Sequence, residues 1–115
     1  MPIGNERGPL TEAVYYILLS LLKPMHGYGI MQYVKELSKG RLNLGAGTLY
    51  GAMNSLVEKN WITVLPEELG ERKKEYLITE IGKEVLQDEI VRLRELLSNG
   101  EQITGVGGVI SDNKN

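Results

Sequence analysis

The chain contains no cysteine. That excludes disulfides, thiolate nucleophiles and cysteine-based zinc or iron–sulfur sites. It has a single histidine, His26, too few for a histidine-built metal site within one chain. No apolar run approaches the ~20 residues a membrane helix needs; the longest, Ala13 to Leu22, is interrupted by Ser20. Nor does the start of the chain carry the basic, apolar and small-residue pattern of a secretory signal, so a cytoplasmic location is expected. An excess of positive charge is also missing. The formal net charge is -2, which taken alone weighs mildly against nucleic acid. No nucleophile, base and orienting group are set out together, and Gly27 and Gly29 do not follow a strand as a nucleotide-binding loop would. No catalytic residue, metal or cofactor is therefore expected, and the chain does not read as an enzyme.

What charge there is lies unevenly. Residues 35–79 hold seven basic and six acidic side chains, whereas residues 80–95 hold three and five. Any basic surface must belong to the middle of the chain, where Arg72, Lys73 and Lys74 form its one basic triplet.

The hydrophobic pattern gives the order of elements. Residues 1–8 are polar, with Gly and Pro, and read as a flexible N-terminus. Thr11 is placed to cap a helix with Glu12 in its first turn, and the apolar run after it suits a buried helix that ends before Pro24. A second helix opens at His26-Gly27-Tyr28-Gly29, carries Ile30, Val34 and Leu37 at helical spacing, and stops at Gly40. A third starts near Thr48, with Leu49, Met53 and Leu56 on one face and Asn60 at its left-handed stop. Trp61 to Leu65 and Arg72 to Ile78 read as two strands around a turn from Pro66 to Glu71. Thr79 caps a last helix that runs to about Ser98, where Asn99-Gly100 stops it. Residues 99–115 are Gly-rich and read as a flexible tail, with Ile103, Val106, Val109 and Ile110 leaving room for a short docking strand.

The order is helix, helix, helix, hairpin, long helix. The fold class is thus mainly α with a small β-hairpin: a winged helix-turn-helix over residues 9–79 and a dimerisation helix over residues 80–98. In that plan the third helix enters a major groove and the hairpin reaches alongside to the backbone or the minor groove. The candidate DNA contacts follow. Gly47 and Thr48 stand at the helix start, where free amides and the helix dipole hold phosphate; a simple Thr cap is the plain alternative. Tyr50 can reach phosphate or sugar with its hydroxyl. Asn54 and Ser55 are short enough to approach base edges, and Lys59 is the one basic residue of this helix. Arg72, Lys73 and Lys74 would meet phosphates from the wing, with weaker help from Lys35, Lys39 and Arg41. His26 reads as structural, and Trp61 as packing at the hairpin base or lining a pocket.

The last helix places Leu86, Ile90, Leu93 and Leu97 four, three and four apart, as in a coiled-coil seam. Three small helices and a hairpin cannot cover all of so long a helix, so a homodimer is expected.

Three stretches resemble the PadR family of transcriptional regulators, in its short form with a single C-terminal helix. They are Gly8-Pro9-Leu10 leading to His26-Gly27-Tyr28-Gly29-Ile30; Gly47-Thr48-Leu49-Tyr50 with Leu56 and Asn60-Trp61-Ile62; and Arg72-Lys73-Lys74-Glu75-Tyr76 followed by Leu77-Ile78-Thr79-Glu80-Ile81-Gly82. Their order and spacing over residues 8–97 are more specific than any one of them. The resemblance implies a homodimeric repressor on a double-stranded DNA operator, with the last helix crossing the partner's first helix near Tyr15 and Tyr16. It also implies a small-molecule effector that varies between members and that these residues do not identify. Two departures stand out. Ala46 replaces a proline common in the family, and Glu67, Glu68 and Glu71 flank the basic triplet, which works against deep insertion of the wing in a minor groove. A winged-helix module that binds protein rather than DNA is the alternative that the acidic total favours.

Overall fold

Thr11 lies in extended backbone and its hydroxyl accepts from the Val14 amide at 3.1 Å, opening helix α1, Glu12–Ser20. Such a cap stabilises a helix by about 1 kcal/mol. In the computed structural model, which describes residues 8–67 and 73–107, α1 and its C-cap drive Ile17, Leu18 and Leu21 into the core. A two-residue strand, β1 (Met25–His26), then leads into α2, Gly27–Leu37. His26 is the cap of α2: its ring Nδ1 accepts from the Gly29 amide at 3.3 Å. Its structural reading is therefore the right one.

Helix α2 ends one residue earlier than Gly40 suggests. Lys39 takes the left-handed position, with φ 55°. The amides of Lys39 and Gly40 return to the carbonyls of Glu36 and Lys35 at 3.1 and 2.8 Å, the paired bonds of a Schellman stop. The buried Ser38 hydroxyl then accepts from the Leu42 amide at 2.9 Å and pins the connector.

Helix α3, Ala46–Glu58, begins two residues before the expected start at Thr48. Gly45 is its cap and supplies no side-chain bond, so Thr48 lies inside the first turn and is not a cap. At the far end the expectation holds. Asn60 adopts φ 64°, and the amides of Asn60 and Trp61 both return at 3.0 Å to Val57 and Leu56.

Strands β2 (Ile62–Val64) and β3 (Glu75–Ile78) pair antiparallel, with Ile62 opposite Ile78 and Val64 opposite Tyr76. They are shorter than the runs Trp61–Leu65 and Arg72–Ile78. The turn residues 68–72, Arg72 among them, lie outside the described residues. β1 was not expected. It pairs with the other edge of β3, Met25 opposite Tyr76, and makes the hairpin a three-stranded sheet in the order β1-β3-β2.

The core gathers Ile17 and Leu18 from α1 with Leu21 at its C-cap, Ile30 and Val34 from α2, Leu49, Met53 and Leu56 from α3, and Ile62, Tyr76 and Ile78 from the sheet. Helix α4, Glu80–Thr104, closes it with Val85 and Leu86. Its start is held tightly. The Thr79 hydroxyl donates to the Asn60 carbonyl at 2.6 Å and accepts from the Gly82 amide at 3.0 Å. A Cβ at Gly82 would collide with the Trp61 carbonyl, so only glycine lets α4 come this close to β2. The first turns of α4 thus belong to the winged-helix core rather than to a separate module.

The end of α4 departs from expectation. The helix runs through Asn99 and Gly100 and stops only at Gly105, φ 76°. Residues 99–104 are helical, not tail; residues 108–115 lie outside the described residues. Twenty-five helical residues span about 37 Å, and the chain reaches 61 Å in its longest direction. Its radius of gyration, 17.0 Å, exceeds the about 13 Å of a compact chain of this length, because the second half of α4 stands clear of the domain.

Candidate nucleic-acid interface

Helical geometry divides the surface of α3 into unlike flanks. Leu49, Met53 and Leu56 face inward and are buried. At 100° per residue the side opposite them carries Gly47, Gly51, Asn54 and Glu58, all exposed. A Cβ on Gly47 or Gly51 would meet nothing within 4 Å. The outer face is therefore nearly bare backbone, with Asn54 and Glu58 as its long side chains.

Tyr50 projects from one edge of this face. It is 40 % exposed and, with His26, Gly27 and Tyr28 from the start of α2 and Lys73, Lys74 and Tyr76 from the hairpin, it lines an open groove of about 400 Å³. The Tyr50 phenol makes no hydrogen bond among the described residues. Tyr28 stands further out at 61 % exposure. Burial raises the pKa of the Tyr76 phenol above its ordinary value, and neighbouring Tyr50 adds to the shift. The groove combines two lysines, exposed phenols and the positive end of the α2 dipole, a set suited to an extended anion.

Ser55 and Lys59 lie on the other edge. They line a smaller pocket of about 190 Å³ with Pro9, Leu10, Val14 and Trp61. The Lys59 ammonium rests 4.8 Å from the centre of the Trp61 ring, a cation–π contact. Of the residues expected on DNA, then, Tyr50, Lys73 and Lys74 come together, Gly47 and Asn54 lie on the adjacent outer face, and Thr48, Ser55 and Lys59 turn toward the α1 flank. Arg72 lies outside the described residues. Arg41 is occupied: its guanidinium grips the Glu12 carboxylate through Nη1 to Oε1 at 2.8 Å and through a second nitrogen to the other oxygen. That hydrogen bond holds the Glu12 carboxyl below its ordinary value.

Sequence reasoning missed Tyr28 and the groove-lining role of His26 and Gly27. The local signal was present in His26-Gly27-Tyr28-Gly29, but the pairing of β1 with β3 that turns this segment toward Lys73 and Lys74 is non-local.

A second bare surface lies on α4. Gly82, Val85, Leu86 and Glu89 face the domain and are buried. The same stripe continues as Leu93, Leu96, Leu97, Gly100 and Ile103, where exposure rises from 38 % at Leu93 to 85 % at Ile103. Of the expected seam, Leu86 is already covered by its own chain, and Ile90 packs partly against the core. Leu93 and Leu97 remain open; Leu96 and Ile103 were not anticipated. Tyr15 and Tyr16 are half-buried on α1 with their ring centres 5.9 Å apart. Where the stripe leaves the domain, Glu89 is buried and accepts from Arg92 through Nε at 2.9 Å and Nη2 at 2.6 Å. Among the described residues no helix is long and apolar enough to cross a membrane, and no group of acidic or histidine side chains could hold a metal ion.

A three-helix core, a returning strand pair and an outward third helix define a winged helix-turn-helix protein. The transcriptional regulator PadR-like family matches residues 17–88, and the chain belongs to it, a family of regulators rather than enzymes. PadR of Bacillus subtilis, solved in complex with operator DNA, is 28% identical with a TM-score of 0.56, over 68% of this chain and 46% of that one. A PadR family transcriptional regulator from Eggerthella lenta is 25% identical with a TM-score of 0.60, over 87% and 79% of the two chains. An uncharacterised protein in a transposon of Streptomyces fradiae is 39% identical over 80 residues. The chain spans 22% of the length of that curated relative.

Proposed function

We propose that this protein is a sequence-specific, cytoplasmic DNA-binding repressor that acts as a homodimer. The observation that carries the reading is the convergence of Tyr28, Tyr50, Lys73 and Lys74 on one groove beside the bare outer face of α3. The Bacillus subtilis relative with operator DNA supports the same partner. In this reading the outer face of α3 approaches the floor of a major groove, and Asn54 is its reader of base edges. Lys73, Lys74 and the two tyrosines hold the flanking phosphates, which fix register but carry no sequence information. With Gly47 and Gly51 offering no side chain, DNA shape and close backbone approach carry a share of the selectivity.

The exposed half of α4 supports the dimer. A stripe of Leu93, Leu96, Leu97 and Ile103 left in water is costly, at about 25 cal/mol per Å² of apolar surface. A second copy would cover it symmetrically. A small-molecule effector would then act on the spacing of the two heads, which the α4 junction sets and which must match half-sites roughly 34 Å apart.

Glu58 on the outer face of α3 favours one other reading, a module that binds a basic protein surface instead of DNA. Gel-shift titration against the DNA upstream of the chain's own coding sequence separates the two. The repressor reading expects a saturable complex with a matched site, and Asn54→Ala should change the preference between site variants by about 1–3 kcal/mol. A folded dimer that shifts no DNA favours the protein-binding module.

A further inference from the structure

His26-Gly27-Tyr28-Gly29 holds two glycines in the first turn of α2, and neither is there for its backbone. Neither has a positive φ; alanine would fit the helical conformation of both and favour it. Their surroundings differ. A Cβ on Gly29 would meet the Met25 side chain, 2.9 Å from Cγ and 3.6 Å from Sδ, so Met25 must shift, while Tyr50 is not among its neighbours. A Cβ on Gly27 would fall inside the Tyr50 hydroxyl, 2.6 Å from the ring Cζ and 3.2 Å from Cε1. The tyrosine thus occupies the space that a side chain at Gly27 would fill. Tyr50 has only two side-chain torsions and a rigid ring, so it cannot yield at its tip alone; the whole ring would have to swing outward.

We propose that Gly27 is a positioning residue for Tyr50: its missing side chain is the seat that holds the Tyr50 hydroxyl at the floor of the groove, between the first turn of α2 and Lys73 and Lys74. The inference rests on the reading of this groove as the phosphate-binding face of a DNA-binding protein. The seat explains how a residue 40 % exposed, with no hydrogen bond of its own among the described residues, is kept in one place before DNA arrives. Preorganising the phenol spares the ordering cost that a mobile side chain would otherwise incur on binding. Because the ring is at the surface, displacing it leaves the core intact, and Gly27→Ala is expected to fold.

The test is a double-mutant cycle on the full-length chain, read by DNA affinity over a salt series and, without DNA, by the fluorine resonance of 3-fluorotyrosine at position 50, assigned by its loss in Tyr50→Phe. Gly27→Ala should shift that resonance, weaken binding about tenfold, as expected for a lost hydrogen bond to a charged group, and leave the salt slope nearly unchanged, because a neutral phenol neutralises no phosphate. In the Tyr50→Ala background it should cost nothing further, since the two changes share one mechanism. Gly29→Ala, the control in the same turn, should leave the resonance in place. An unmoved Tyr50 resonance in Gly27→Ala overturns the proposal whatever the DNA result. So does full additivity of the two changes, which would leave the Tyr50 contact standing but give Gly27 a separate role. If Tyr50→Ala binds DNA like the unaltered chain, the contact and its seat fall together; if no form of the protein binds DNA, the repressor reading fails while the fluorine measurement still decides the seat.

Discussion

Among the described residues two surfaces stand bare, and they are bare in opposite ways. The groove at the start of α2 exposes phenols and lysines, groups that water solvates well and that an anion can bind. The outer half of α4 exposes leucines and an isoleucine, which water solvates badly. Both surfaces continue elements whose other parts are fully used. Helix α3 buries Leu49, Met53 and Leu56 and turns a near-naked backbone outward; α4 buries Val85 and Leu86 and then carries the same stripe into solvent. In the proposed reading the polar surface takes a polyanion and the apolar one a second copy of the chain. The two surfaces share no residue, so each can be altered by itself.

The largest effect should come from the apolar surface. Leu93→Glu places a charge in the stripe where a partner would bury it. We expect monomers by light scattering, and a loss of operator affinity of about 10²–10⁴ as two linked heads become one. A dimer with unaltered melting and affinity would contradict the assignment of this face. Next comes the polar surface. Lys73→Ala with Lys74→Ala should weaken binding to matched and scrambled DNA alike and reduce the salt slope by roughly 1 for each phosphate no longer held, while the dimer persists. Weakening confined to the matched sequence would show that the lysines read bases instead.

A smaller change sharpens the contrast within α3. Gly51→Ala fills empty space on an exposed helix position, so melting should rise by the equivalent of up to about 1 kcal/mol. Affinity for DNA should fall, because the added methyl meets the groove floor. Stability and binding moving upward together would mean that this face stands away from DNA. The smallest effect is remote from both surfaces. Arg41 depresses the Glu12 pKa, so the pair's stability is present above the ordinary glutamate value of 4.5 and is lost as pH falls through the lower folded value. Glu12→Gln should remove a shallow acid limb from the melting curve and leave melting at neutral pH nearly unchanged, as for other exposed pairs.

Much of this was legible in the chain because the relevant chemistry is local. Thr11 and Thr79 accept from amides three residues on, Asn60 turns back to the Val57 carbonyl, and Leu49, Met53 and Leu56 reveal their shared face by spacing alone. What was hidden depends on residues far apart in sequence. Met25 and His26 become a strand only because β3, some fifty residues later, offers an edge. Lys59 looks like a free cation until Trp61 turns its ring beneath it. Asn99-Gly100 is a strong local stop, yet α4 passes through it and ends at Gly105. The exposed apolar stripe therefore runs further along α4 than Leu86, Ile90, Leu93 and Leu97 suggest, and takes in Leu96 and Ile103. Lys39 in the left-handed position of α2 shows the same limit on a smaller scale, since Gly40 was the obvious stop and the chain turned one residue sooner.

The central claim is that DNA meets one flank of α3 and not the other. Amide chemical-shift mapping of the intact dimer, titrated with its own upstream DNA, tests it most directly. Perturbations are expected along Gly27 and Tyr28, Gly47, Tyr50, Gly51 and Asn54, and Lys73 and Lys74, with Ser55, Lys59 and Trp61 little moved. Perturbations centred on Ser55, Lys59 and Trp61, with the Tyr28–Tyr50 groove silent, would contradict it.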